Sequence, residues 1–96
     1  MKVVTPGHEY ELLNSTGTRV IGVLQFLQKK GGKIIKDGTT NEQIIKVLID
    51  RIEFLQEKVP CDENTEAIQS LQKALAALEK RTADRVDRGV EGSDTE

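Results

Sequence analysis

The sequence predicts an all-α protein: a short N-terminal helix followed by a long antiparallel helical hairpin, assembled as a homo-oligomer. Three observations carry that expectation. Apolar residues recur at helical spacing between Thr39 and Pro60, again from Ile68 to Leu78, and only a short connection around Pro60 and Cys61 separates the two runs. At 96 residues there is room for one domain with a modest core.

Taken in order, residues 1–14 read as an irregular segment, because Pro6 and Gly7 break any early helix. Residues 15 to about 30 read as a first helix. Ser15 or Thr16 serves as N-cap, and Val20, Val23, Leu24 and Leu27 fall on one helical face. Gly17 and Gly22 weaken this helix and make it depend on packing. Residues 31–38, GGKIIKDG, read as a loop bounded by glycines.

The second helix opens at Thr39 or Thr40, where Thr39 with Glu42 or Thr40 with Gln43 makes a capping box. Its stripe is Ile44, Ile45, Leu48, Ile52, Leu55 and Val59, and Pro60 ends it. Val47, Ile49 and Phe54 fall outside the stripe, so the helix carries more apolar surface than one partner covers. The third helix starts near Asp62 or Asn64 and runs to at least Arg81, with Ile68, Leu71, Leu75 and Leu78 forming a coiled-coil-like seam. The tail, residues 89–96, is glycine-rich and acidic and reads as flexible. Isolated helices are marginal in water, and small scaffolds without disulfides or metals commonly gain stability by oligomerising.

Composition narrows the function. A net charge of -2 argues against a general DNA or RNA binder. No apolar run approaches the ~20 residues that span a bilayer, and the N-terminus does not read as a signal peptide. One cysteine and one histidine point to a reducing compartment and away from a Cys/His metal cluster or a metal cofactor. Catalysis is weakly supported: Cys61 has no paired base, and LQKKGGKI lacks both the first glycine and the final hydroxyl of a Walker A loop. Lys29 and Lys30 before Gly31-Gly32 and Lys33 read either as a helix C-terminus complementing its dipole or as an anion cradle. Phe26 and Phe54 read as core, whereas Tyr10 stands in a polar segment and offers a stacking platform for a base. Arg81, Arg85 and Arg88 share a face with Asp84 and Asp87 between them, the pattern of a salt-bridged helix end.

The strings GHEYELLN, FLQKK, DGTTNEQIIKVLIDRIEFLQ, PCDEN and KRTADRVDRGVEG resemble a family of small phage proteins over nearly the whole chain. These are the anti-CBASS sponges that sequester cyclic oligonucleotide immune signals and share their helical hairpin with an anti-Thoeris sponge. The resemblance implies a non-enzymatic antagonist in the bacterial host cytoplasm. It implies a hexamer built from dimers whose two-fold pockets hold a cyclic dinucleotide such as cyclic GMP-AMP. By the same resemblance Tyr10 stacks on a base and Lys29 pairs with a phosphate, with His8, Lys30 and Lys33 as helpers. A second pocket for cyclic trinucleotides involves Thr65, but Asp62 stands where that pocket calls for an arginine. Two other classes remain open: a structural or adaptor helical oligomer, and a cyclic-nucleotide hydrolase.

Overall fold

A computed structural model describes residues 1–87; the expected flexible tail and Arg88 lie outside the described residues. Seven elements follow in order: β1 (Lys2–Thr5), β2 (Glu9–Leu13), β3 (Val20–Gln25), β4 (Gln28–Lys30), β5 (Lys33–Lys36), α1 (Asn41–Lys58) and α2 (Asp62–Asp87). The fold is therefore α+β, which corrects the all-α expectation. The helix expected over residues 15–30 does not form, the segment 1–14 holds two strands, and the expected glycine loop contains β5.

The physical reasons lie in side-chain shape and turn chemistry. Val3, Val4 and Thr5, then Val20, Ile21 and Val23, are β-branched and stiff at χ1, which suits a pleated strand better than a helix. Helix interiors pay about 1 kcal/mol for each glycine, and the expected helix held Gly17 and Gly22. The 20, 23, 24, 27 spacing was shared by chance with a strand that turns into a hairpin.

β1, β2 and β3 form an antiparallel meander in that order. Pro6-Gly7 makes the first turn, closed by His8 N–H donating to the Thr5 carbonyl at 2.9 Å. Asn14 organises the second. Its Oδ1 accepts from the backbone N–H of Thr18 at 2.8 Å and of Arg19 at 3.1 Å, while its own N–H donates to the Arg19 carbonyl at 2.9 Å. These are local side-chain alternatives to a helix, and they replace the expected N-cap role of Ser15 or Thr16.

β4 and β5 form a separate two-stranded hairpin. Its two-residue turn is Gly31-Gly32, with φ of 60° and 78°. Two successive positive φ values are what a type I′ hairpin requires and what residues with a Cβ resist. The glycines read as a helix stop are thus a strand turn.

After β5 the chain returns to the meander. Thr39 bridges Phe26 in parallel, with Thr39 N–H donating to the Gln25 carbonyl at 2.8 Å and Leu27 N–H donating to the Thr39 carbonyl at 2.9 Å. Gly38 permits that approach: a Cβ there would collide with the Gln25 carbonyl oxygen and lie 2.7 Å from the Phe26 carbonyl carbon.

The helical hairpin agrees with expectation. Thr40 takes the N-cap position with Gln43 three residues on, the second of the two capping boxes. The shielded face of α1 differs from the expected stripe. Ile45, Ile49, Ile52 and Gln56, at i, i+4, i+7 and i+11, are half-buried along one face, so Ile49 belongs to it. Leu48, Leu55 and Val59 of the stripe stay exposed, as do Val47 and Phe54, the latter expected in the core. In α2, Ile68, Leu71, Leu75 and Leu78 are half-buried, as the seam predicts. The Gln56 amide joins the helices: Oε1 accepts from Cys61 N–H at 3.0 Å, and Nε2 donates to the Cys61 carbonyl at 3.1 Å and to Thr65 Oγ1 at 2.8 Å. One side chain thereby satisfies both polar groups of the turn residue.

Candidate ligand-binding site

The chain separates into two units, one formed by Met1–Thr40 and one beginning at Asn41, and each stands by itself here. His8, Tyr10, Lys29, Lys30 and Lys33 all fall in the first, and Thr65 falls in the second.

Tyr10 sits at the centre of β2, with Val3 opposite it on β1 and Leu24 opposite it on β3. Residues directly opposite share a face of the sheet, so Val3, Tyr10 and Leu24 make one cross-strand row. Phe26, just past β3, meets the Tyr10 ring edge-on, with centroids 5.8 Å apart and planes at 87°. Such a pair is worth about 0.5–1.5 kcal/mol beyond its buried area, and it sets the angle at which Tyr10 is presented. Tyr10 is half-buried, not the free-standing ring of an irregular segment. His8 joins the cluster through its backbone, its carbonyl accepting from Phe26 N–H at 2.8 Å. The structure therefore gathers His8, Tyr10 and Phe26 in one place.

Phe26 is the member of this cluster that sequence reading placed elsewhere, in a helix core. A signal for it exists. EYELL and VIGVLQ each alternate in the manner of strands, and pairing them brings the residue after VIGVLQ towards Tyr10.

The lysines belong to the hairpin. Lys29 lies opposite Ile34 and is half-buried, whereas Lys30 lies opposite Lys33 and both are exposed. Among the described residues none of these three forms an ion pair, while Lys36 Nζ stands 3.8 Å from Glu9 Oε1. The expected helix C-terminus with its dipole is absent here, because these lysines lie on β4 and β5.

Thr65 is already occupied: its hydroxyl accepts from Gln56 Nε2 and lies 3.4 Å from the Cys61 carbonyl. Asp62 opens α2, a favourable place for a carboxylate at the positive end of the helix dipole. Cys61 is an exposed free thiol. Lys80 pairs with Asp84 at 3.2 Å, and Arg85 is only 7% exposed, in keeping with a structural helix end. Among the described residues no group of three or more His, Cys, Asp or Glu side chains is placed to hold a metal ion. No helix among them is long and apolar enough to cross a membrane.

Comparison with known proteins places the chain. The model of the Acb2/Tad1 hairpin domain matches residues 19–83, from the turn before β3 through most of α2. The chain belongs to this family. It is the phage anti-defence sponge family whose motifs the sequence resembles. The matched segment includes Phe26, the lysine hairpin, α1 and most of α2, and it begins after His8 and Tyr10. The chain is also 45% identical, over 58 residues, to Thoeris anti-defense 1 of Bacillus phage SBSphiJ7. That alignment covers 59% of this chain and 41% of that protein, so the chain spans well under half of the relative's length.

Proposed function

We propose that this chain is a phage anti-defence sponge that holds a cyclic dinucleotide immune signal, such as cyclic GMP-AMP, without cleaving it, and so withholds it from CBASS effectors. Membership of the Acb2/Tad1 hairpin family is the observation that carries this reading. The site is the sheet unit. Tyr10, held edge-on by Phe26, stacks on a base, Lys29 pairs with a phosphate, and His8, Lys30 and Lys33 assist. Two copies meeting about a two-fold axis present each group twice to a ligand of similar symmetry. Stacking contributes about 1–3 kcal/mol per base and each charge-assisted bond about 1.5–3 kcal/mol. Together they supply much of the roughly 12 kcal/mol that nanomolar binding needs.

The assembly is a homo-oligomer, a hexamer built from dimers, in the cytoplasm of the infected host. The second pocket is disfavoured for trinucleotides, because Asp62 repels phosphate and the Thr65 hydroxyl is engaged within the turn.

A thermal-shift panel of cyclic nucleotides tests the reading, since a ligand bound only by the folded state raises the melting temperature. Cyclic GMP-AMP should raise it and be recovered intact by chromatography after heating; a linear product would instead mean a hydrolase. Tyr10→Ala and Lys29→Ala should each weaken binding by about tenfold or more, the loss of roughly 1.4 kcal/mol or above. If both variants bind as tightly as the parent, the site is elsewhere. The name of the 45% identical relative favours a second reading, in which the signal is that of Thoeris, a cyclic ADP-ribose isomer. Including that compound in the panel decides between them.

A further inference from the structure

The register of the β4–β5 hairpin sorts its lysines in a way that a string of residues does not show. Lys30 lies directly opposite Lys33, Lys29 opposite Ile34, and Gln28 opposite Lys36, with a bulge that displaces Ile35 from the ladder. Residues two apart on a strand share a face, as do cross-strand partners. Lys30 and Lys33 therefore point to one face, and Lys29 with Ile34 to the other; the bulge breaks the alternation along β5, so Lys36 is placed by its pairing with Gln28. Lys36 is drawn towards Glu9, whereas Lys30 and Lys33 meet no carboxylate among the described residues.

Two ammonium groups placed opposite each other repel, and a cross-strand pair of like charges destabilises a hairpin. A three-residue strand paired with a four-residue one has little stability in reserve. An anion between the two ammonium groups turns the repulsion into attraction. The glycine turn sets the spacing, since it closes the hairpin immediately beside this pair.

We propose that the Lys30–Lys33 face of the β4–β5 hairpin is a phosphate-binding clamp, separate from the contact made by Lys29 on the opposite face. Its ligand class is a phosphodiester or pyrophosphate group of a small nucleotide. This deepens the sponge reading, and rests on it for the identity of the ligand: the clamp grips a phosphate that Lys29 does not reach. Because ammonium groups act as point charges rather than forks, the clamp accepts a phosphate in many orientations and does not itself discriminate bases.

The test is an amide NMR titration of the full chain with inorganic pyrophosphate and, separately, with cyclic GMP-AMP. Pyrophosphate should move the amides of Lys30–Lys33, and added salt should reverse the shifts. The double variant Lys30→Gln with Lys33→Gln should abolish those shifts and weaken cyclic GMP-AMP by roughly tenfold, the scale of one charge-assisted contact. Lys80→Gln, in a surface ion pair on α2, should leave both titrations unchanged. Relief of repulsion supplies an independent readout, because without ligand the double variant should melt no lower than the parent. Hairpin amides unmoved by pyrophosphate would overturn the clamp, as would a double variant that binds cyclic GMP-AMP with parental affinity. An oligonucleotide that moves these amides at lower concentration than either small ligand would overturn the assignment to a small nucleotide. Were cyclic GMP-AMP not to bind the parent while pyrophosphate still moves the hairpin, the clamp would stand and the cyclic dinucleotide reading would fall.

Discussion

Gly38 shows how one residue holds the sheet unit together. The chain passes so close to the Gln25–Phe26 backbone that a methyl group has no place, and backbone cannot step aside as a flexible side chain can. Gly38→Ala should therefore destabilise the unit by about 1–3 kcal/mol, the usual range for forcing volume into a filled space. Tyr10 is the single tyrosine and there is no tryptophan, so tyrosine fluorescence reports this unit directly. The variant should show a lowered melting temperature in that signal, and an unchanged melt would mean that the approach at Gly38 is not a constraint. The same scale explains why Tyr10 was legible only in outline. Its chemistry, a large ring among polar neighbours, is plain in HEYEL; its partner Phe26 lies sixteen residues on and is brought near only by β2–β3 pairing.

Among elements, the two helices were readable and the strands were not. α1 and α2 carry long periodic runs and clear punctuation at Thr40, Pro60 and Asp62, signals that reinforce one another over many residues. The strands are three to six residues long, and a short run such as VIGVLQ satisfies a helical template and a strand template at once. Gly31-Gly32 between two lysine-rich flanks was a hairpin signal that a helix-stop reading absorbed. At the helix pair, the decisive contact is Gln56 with Cys61 and Thr65. Gln56→Ala removes three hydrogen bonds at an exposed turn, where water replaces part of what is lost. Each is worth about 0.5–1.5 kcal/mol net, so a loss of about 1–3 kcal/mol is expected. Urea unfolding followed by far-ultraviolet circular dichroism reads this as a lower midpoint with the slope retained. A midpoint equal to the parent's would mean that the seam alone holds the hairpin.

For the molecule as a whole, the absence of a buried apolar side chain among the described residues is the main physical fact. Val47 is 63% exposed, Phe54 51% and Val59 72%, and Val3, Ile21 and Ile34 on the strands are exposed as well. A chain that leaves such surface uncovered forgoes about 25 cal/mol for each Å² not buried. Self-assembly is the expected remedy. Replacing Leu48 and Leu55, one exposed face of α1 at i and i+7, by glutamate should shift sedimentation from an oligomer to a monomer and lower stability. A parent protein that sediments as a folded monomer at micromolar concentration would remove the oligomer from the account.

The sequence by itself determined the helical hairpin, the seam of α2 and the family, because each rests on local periodicity or on long matching strings. Only the tertiary structure decided that the first forty residues hold five strands, that Phe26 braces Tyr10, and that Lys29 is parted from Lys30 and Lys33. A strand acquires its partner, its register and its faces from another segment of the chain, and a one-residue slip reverses every side chain in it. A helix satisfies its own backbone and carries its pattern within itself, so it can be read before it is seen.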